Sequence, residues 1–124
     1  MLSYSNFGSV RNEDTQRMAL AAALAREKNP DLVVDGEMQA DTALSAEIID
    51  QRYPFSRVRE ANVLVFPSLE SANIAYKLFM RLAEVDTIGP ILVGLNKSAH
   101  IIERGSNPDN ILNLTTLAAL KARQ

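Results

Sequence analysis

Three carboxylates fall within a seven-residue stretch, at Asp35, Glu37 and Asp41. Groups spaced this way can hold a hard cation or work as an acid–base pair. They can equally satisfy loop amides and cap a helix. This loop-shaping role, shared with Gly36, is the one expected of them. A second constellation is Ser5, Asn6, Gly8 and Ser9, a small polar loop shortly before a helix. Loops of this type turn backbone N–H groups and the helix dipole toward an anion, although a plain turn and cap use the same residues. Arg104 stands just before the last helix and can grip a phosphate or carboxylate with two parallel hydrogen bonds. Its alternative is a surface ion pair with Glu103 or Asp109. His100, the single histidine, lies in an apolar run and reads as a packed residue rather than a base.

Other chemistry is excluded by composition. The chain has no cysteine, so disulfides, thiol nucleophiles and cysteine zinc sites are ruled out. One histidine cannot build a histidine metal cluster, and no metal site is expected. The glycines are Gly8, Gly36, Gly89, Gly94 and Gly105, and none are spaced as in a dinucleotide or Walker loop. Nicotinamide chemistry therefore has to lie elsewhere. The formal net charge is −2, with lysines and arginines scattered rather than striped, which argues against nucleic acid as a partner. Apolar residues make up 47% and charged residues 23%, as in ordinary soluble domains. No apolar run approaches the ~20 residues that span a bilayer, and the first residues do not read as a signal peptide. The expectation is a cytoplasmic protein without a membrane partner. A length of 124 residues suits one domain.

The elements that must position these residues alternate. Met1–Ser5 reads as a short strand, and a helix is expected over Glu13–Lys28, with Met18, Ala21, Ala22 and Ala25 inward and Asn29-Pro30 as its stop. Leu32–Val34 starts a second strand, and Asp41 caps a helix reaching Gln51. Asn62–Pro67 is a third strand, whose unbroken apolar run suggests cover on both faces. Ser68 opens a helix to about Glu84, with Ala72, Ala75, Leu78, Phe79 and Leu82 as its buried stripe. Gly89–Leu95 and Ala99–Ile102 read as further strands. Asn107-Pro108 opens the last helix, with asparagine at the cap and proline in the first turn. The pattern predicts an α/β fold, a mostly parallel sheet flanked by helices, in which ligands gather beyond the carboxyl ends of the strands.

Taken in order, several segments resemble the phosphate acetyl/butyryl transferase family. They are Met1–Ser9, Val34–Asp41, Ala61–Pro67, Ala72–Leu78 and Ile88–Lys97, so the resemblance covers essentially the whole chain. Asn6-Phe7 and Tyr53-Pro54-Phe55-Ser56-Arg57 are most similar to the branch fused to the end of bacterial NADP-dependent malic enzymes. The resemblance implies a two-lobed fold related to isocitrate and isopropylmalate dehydrogenases, with residues 1–96 in the second lobe and 97–124 forming a short strand and a helix that returns toward the first. It implies acetyl exchange between phosphate and coenzyme A in the interlobe cleft and assembly as a homo-oligomer. Acetyl-CoA, acetyl phosphate or phosphate would be the ligand, contacted by Ser5, Asn6, Ser9 and Arg104. NADP and a divalent metal would belong only to the malic enzyme part, and no cofactor is expected on this chain.

The resemblance also contains departures. Stand-alone members carry Ser-Arg-Gly before the final helix and an aspartate six residues after the arginine. Arg104 and Gly105 match, but Glu103 and Asn110 occupy the serine and aspartate positions. A carboxylate at Glu103 would repel an anionic ligand by ~4 kcal/mol at ~4 Å and an effective dielectric of ~20, and an amide at Asn110 cannot act as a base. The resemblance thus implies a regulatory and oligomerisation domain of a malic enzyme that responds to acetyl-CoA and has little catalysis of its own. An active phosphate acetyltransferase and a pure dimerisation module are the alternatives.

Overall fold

The computed structural model describes residues 1–83, 85–102 and 104–123. The chain divides into two compact units, Met1–Tyr76 and Lys77–Gln124. Among the described residues five helices follow in order: α1 (Glu13–Lys28), α2 (Ala40–Leu44), α3 (Ala46–Arg52), α4 (Leu69–Leu82) and α5 (Pro108–Lys121).

Helix α1 begins where the sequence places it. The Asn12 side chain accepts from the Thr15 N–H at 3.0 Å, and Thr15 Oγ1 accepts from the Asn12 N–H at 3.1 Å. This reciprocal pair occupies two donors that a helix start otherwise leaves open. Thr15, Met18 and Ala22 are buried, which is one face at helical spacing. The helix expected from Asp41 to Gln51 is instead two helices. Ser45 ends the first, and its hydroxyl caps the second by accepting from the Ile48 N–H at 3.3 Å. The polar serine offers the backbone a new start in mid-run.

Among the described residues the expected parallel sheet is not present. Among the described residues the only strand pairing is one isolated parallel bridge, Leu2 with Met38. Around it the Leu2 N–H donates to Val65 O at 2.8 Å, the Ser3 N–H to Met38 O at 2.9 Å, and the Met38 N–H to Met1 O at 3.1 Å. Segments 1–3, 36–39 and 63–66 thus lie side by side without forming a ladder. The apolar runs read as buried strands are largely at the surface, with Val63 73% and Val93 76% exposed. Four apolar residues in a row report a preference for cover, but they do not supply the neighbouring strand. Gly36, at φ +129, turns its segment out of the extended run. The apolar stripe of α4 differs in the same way, because the helix has no buried residue and Leu82 is 78% exposed.

In the first unit, Leu2, Met38 and Ala43 form the core, and Phe7, Ala61, Leu64 and Phe66 pack against it. Phe7 also meets Tyr53 and Phe55, with ring centroids 5.1 and 5.0 Å away. The two segments that carry the malic-enzyme-like residues therefore touch. In the second unit Leu114 of α5 is buried, and the Asn107 side chain caps α5 by accepting from the Asn110 N–H at 2.7 Å. No described helix is long and apolar enough to cross a membrane.

Candidate functional site

The first loop and the carboxylate stretch, about thirty residues apart in sequence, come together in the first unit. Ser5 and Glu37 are both buried, and Ser5 Oγ donates to Glu37 Oε1 at 2.8 Å. The Gly8 N–H donates to the same oxygen at 2.6 Å. The Phe7 N–H donates to the Glu37 backbone carbonyl at 2.8 Å. Oxygen acceptors on one segment thus close the loop from beneath. Phe7 and Gly8, at φ +48 and +85, provide the left-handed turn that points both N–H groups at them.

The loop also closes on itself. The Asn6 N–H donates to Ser9 Oγ at 2.9 Å, the Ser9 N–H to Asn6 O at 3.0 Å, and the Val10 N–H to Ser5 Oγ at 3.0 Å. Every backbone N–H from Asn6 to Val10 therefore has an internal acceptor. The nest of free amides expected for an anion is filled from within, with the Glu37 carboxylate as its resident anion. Ser5 is buried beneath the loop, whereas Ser9 is exposed.

Gln39 is a residue that sequence reasoning missed. Its N–H donates to Asn6 Oδ1 at 2.7 Å, its Nε2 to Tyr4 O at 2.7 Å, and its Oε1 accepts from Asn6 Nδ2 at 2.9 Å. The signal for it was its place two residues after Glu37, on the same side of an extended segment. Asn6 is thereby held by Gln39 from the side, while Ser5 and Gly8 are held by Glu37 from below.

Asp35 does different work. Its Oδ1 meets Arg26 Nη1 at 2.9 Å and accepts from the Gly36 N–H at 3.0 Å. Its Oδ2 accepts from the Arg57 N–H at 2.8 Å and Ser56 Oγ at 3.2 Å. With four donors on two oxygens it ties α1 and the 56–57 turn to the base of the loop. Gly36 is required where it stands, since a Cβ there would lie 2.5 Å from the Met1 carbonyl oxygen. Beside it, the Met1 amino group donates to Asp35 O at 2.8 Å, and its pKa is lowered from the usual value by burial, against the opposing pull of Asp35. Asp41 is exposed in the first turn of α2, where its Oδ1 accepts from the Thr42 N–H at 2.8 Å. No group of three or more acidic or histidine side chains that could hold a metal occurs among the described residues.

A cavity of about 480 Å³ opens beside the ends of the three extended segments, lined by Leu2, Ser3, Tyr4, Asp14, Arg17, Ala40, Phe66, Pro67 and Ser68. None of the residues singled out from sequence lines it. Its cation, Arg17, is paired with Asp14 at 3.0 Å on an exposed face of α1 that carried no periodic signal.

The second unit holds the other candidates. Arg104 is exposed and makes no ion pair among the described residues. Glu103, expected to oppose anionic ligands, lies outside the described residues. Asn110 Nδ2 donates to Gly89 O at 3.4 Å, and its Oδ1 is buried without a hydrogen-bond partner. His100 is half-buried, with Nδ1 accepting from the Leu92 N–H at 3.4 Å and Nε2 lying 3.3 Å from Ser98 Oγ. Both ring nitrogens are thus engaged, as in a packed side chain.

Residues 1–119 match the family model described as "Phosphate acetyl/butaryl transferase". The chain is 42% identical to the phosphate acetyltransferase of Bacillus subtilis, over 98% of this chain and 38% of that protein. It is 40% identical to the NADP-dependent malic enzyme of Haemophilus influenzae, over 100% of this chain and 16% of that protein. Among solved structures it resembles a phosphotransacetylase from Streptococcus pyogenes, with a TM-score of 0.92 and 42% identity, covering 99% of this chain and 38% of that one. The EutD phosphotransacetylase from Staphylococcus aureus has a TM-score of 0.90 at 36% identity. The chain thus spans well under half the length of these relatives. With nearly its whole length matched by one family model, the chain belongs to the phosphate acetyl/butaryl transferase family.

Proposed function

We propose that this chain is the phosphotransacetylase-like part of an NADP-dependent malic enzyme. In this role it binds acetyl-CoA or a related phosphate ligand, contributes to a homo-oligomer in the cytoplasm, and transfers little acetyl group itself. The observation that carries the reading is Asn110. In acetyl transfer to phosphate, a phosphate oxygen bonds to the thioester carbonyl carbon, the C–S bond breaks, and the coenzyme A thiolate leaves and takes up a proton. In reverse the thiol must lose that proton to a base. The family's aspartate position here carries an amide, which binds no proton near neutral pH and is turned toward the Gly89 carbonyl. Binding demands less. Arg104 is exposed and carries no ion pair among the described residues, so its guanidinium is open to a phosphate. Of the loop residues, Ser9 has the exposed hydroxyl.

The second reading, a working phosphate acetyltransferase, draws on the 42% identity to the Bacillus subtilis protein of that name. Calorimetric titration of acetyl-CoA, run beside a transfer assay with acetyl-CoA and phosphate, separates the two. Binding without turnover, weakened about tenfold in Arg104→Ala through loss of a charged hydrogen bond, supports the regulatory reading. Turnover comparable to ordinary enzymes, with kcat on the order of 1 per second or more, would replace it with the second. Oligomerisation that ignores acetyl-CoA would leave only assembly.

A further inference from the structure

The loop at residues 5–9 has a negative charge at its base and has already used its hydroxyl and backbone donors. Glu37, 3% exposed, lies beneath it, and its Oε1 accepts from the Gly8 N–H at 2.6 Å and from Ser5 Oγ at 2.8 Å. A charged acceptor makes the shorter and stronger bond. The Ser5 proton therefore goes to Glu37 rather than to Val10 O or Ser9 Oγ, each 3.2 Å away. In the contact between Ser5 and Ser9 the donor is then Ser9, so its proton is used within the loop as well. The backbone N–H groups from Asn6 to Val10 are all bonded within this unit. An anion brought to this loop would meet the Glu37 charge, a repulsion of ~3 kcal/mol at ~6 Å and an effective dielectric of ~20.

The donors that remain belong to two side-chain amides. Asn6 Oδ1 accepts from the Gln39 N–H at 2.7 Å, Asn6 Nδ2 donates to Gln39 Oε1 at 2.9 Å, and Gln39 Nε2 donates to Tyr4 O at 2.7 Å. These bonds leave each amide one orientation. Turning Asn6 over would set its amino group against the Gln39 N–H. Turning Gln39 over would set its amino group against that of Asn6 and its oxygen against the Tyr4 carbonyl. An amide nitrogen carries two N–H groups, and each of these two nitrogens uses one, so each keeps a second. Asn6 is half-buried, and a polar donor in such a place takes its partner from solvent or from a ligand.

We propose that the loop recognises the uncharged arm of acetyl-CoA rather than a phosphate group. The second N–H of Asn6 Nδ2 donates to a carbonyl oxygen, that of the acetyl thioester or of an amide in the pantetheine arm, and Gln39 is the positioning residue that holds this donor in place. A carbonyl brings lone pairs to a spare N–H without bringing a net charge to the buried carboxylate. The proposal deepens the ligand-binding reading above and rests on it.

Calorimetric titration of acetyl-CoA, coenzyme A and inorganic phosphate into the protein and its variants tests this. Asn6→Ala should weaken acetyl-CoA binding roughly threefold to tenfold, as for one neutral hydrogen bond, and should not weaken phosphate binding. A loss for acetyl-CoA alone places the contact on the thioester carbonyl, and an equal loss for coenzyme A places it on the pantetheine arm; either supports the proposal. Asn6→Asp keeps the oxygen that accepts from the Gln39 N–H and removes the donor, so it should reproduce the acetyl-CoA loss if Asn6→Ala fails to fold by circular dichroism. Gln39→Met keeps the length of the side chain without its amide, and should weaken acetyl-CoA binding about threefold. In the Asn6→Ala background it should have no further effect, because the group it acts through is gone. A Gln39→Met effect of equal size with and without Asn6 would overturn the positioning role. Phosphate binding weakened by Asn6→Ala as much as acetyl-CoA binding would make the loop an anion site and overturn the proposal. Acetyl-CoA binding weakened by Arg104→Ala but unchanged in Asn6→Ala would overturn it while leaving the ligand reading intact. A protein that binds no acetyl-CoA at all would remove both.

Discussion

The Asp35 carboxylate and the Arg26 guanidinium meet at 2.9 Å, with side chains 11% and 30% exposed. The pair joins α1 to the segment that supports the polar loop, and three further donors converge on the same carboxylate from Gly36, Ser56 and Arg57. The two partners are unequal. Asp35→Ala leaves the Gly36 and Arg57 amides without their acceptor, and the Ser56 hydroxyl and the Arg26 guanidinium with only the backbone carbonyls of Val58 and Val34, and should destabilise the protein by about 3 kcal/mol. Arg26→Ala leaves Asp35 with three neutral donors, and should cost about 1 to 2 kcal/mol. Urea denaturation of both variants checks the order. Equal losses would mean that the ion pair, rather than the hydrogen-bond hub, carries the stability.

Two glycines with left-handed backbone separate conformational strain from collision. Gly94, at φ +80, has open space where a Cβ would stand, so Gly94→Ala should cost only about 1 kcal/mol, the strain of that backbone region. Gly36, at φ +129, would place its Cβ 2.5 Å from a backbone oxygen. Gly36→Ala should therefore cost about 3 kcal/mol or more, or abolish folding. Thermal unfolding followed by circular dichroism distinguishes them, and comparable midpoints for the two variants would contradict the close packing of Met1 against Gly36.

If the amide at Asn110 is what holds back acetyl transfer, then Asn110→Asp should raise the transfer rate by about a hundredfold, the lower range for a positioned acid–base group. The new carboxylate sits in the first turn of α5, where the helix dipole favours a negative charge, although it gives up the amide's hydrogen bond to the Gly89 carbonyl. Acetyl phosphate formation in the wild-type and substituted proteins, compared at equal occupancy by acetyl-CoA, is the measurement. An unchanged rate would shift the explanation away from Asn110.

Much of the local structure was legible in the sequence. Asn12 and the Asn29-Pro30 stop bound α1, and Asn107-Pro108 opens α5, because capping depends on residues within one turn of each other. The break between α2 and α3 carried a local signal as well, in Ser45, but Asp41 offered an earlier start and the apolar residues beyond continued the helical pattern. The order of motifs sufficed to indicate the family. Apolar runs were misleading at Asn62–Pro67 and Gly89–Leu95. They state a preference for burial, whereas a sheet also needs a neighbouring backbone in register to accept each N–H, and periodicity does not contain that partner.

The sequence by itself determined which side chains are available: a polar loop at residues 5–9, a carboxylate stretch at 35–41, an arginine before the last helix, and an asparagine in the first turn of that helix. Only the tertiary structure decided how they are used. Read singly, Ser5 and Ser9 are equivalent hydroxyls in one loop. Folded, one lies buried against a carboxylate from a segment 32 residues away and the other faces outward. The direction of a hydroxyl proton follows the strongest acceptor within hydrogen-bond reach, and which acceptor that is depends on distance in space, which the spacing of residues along the chain does not encode.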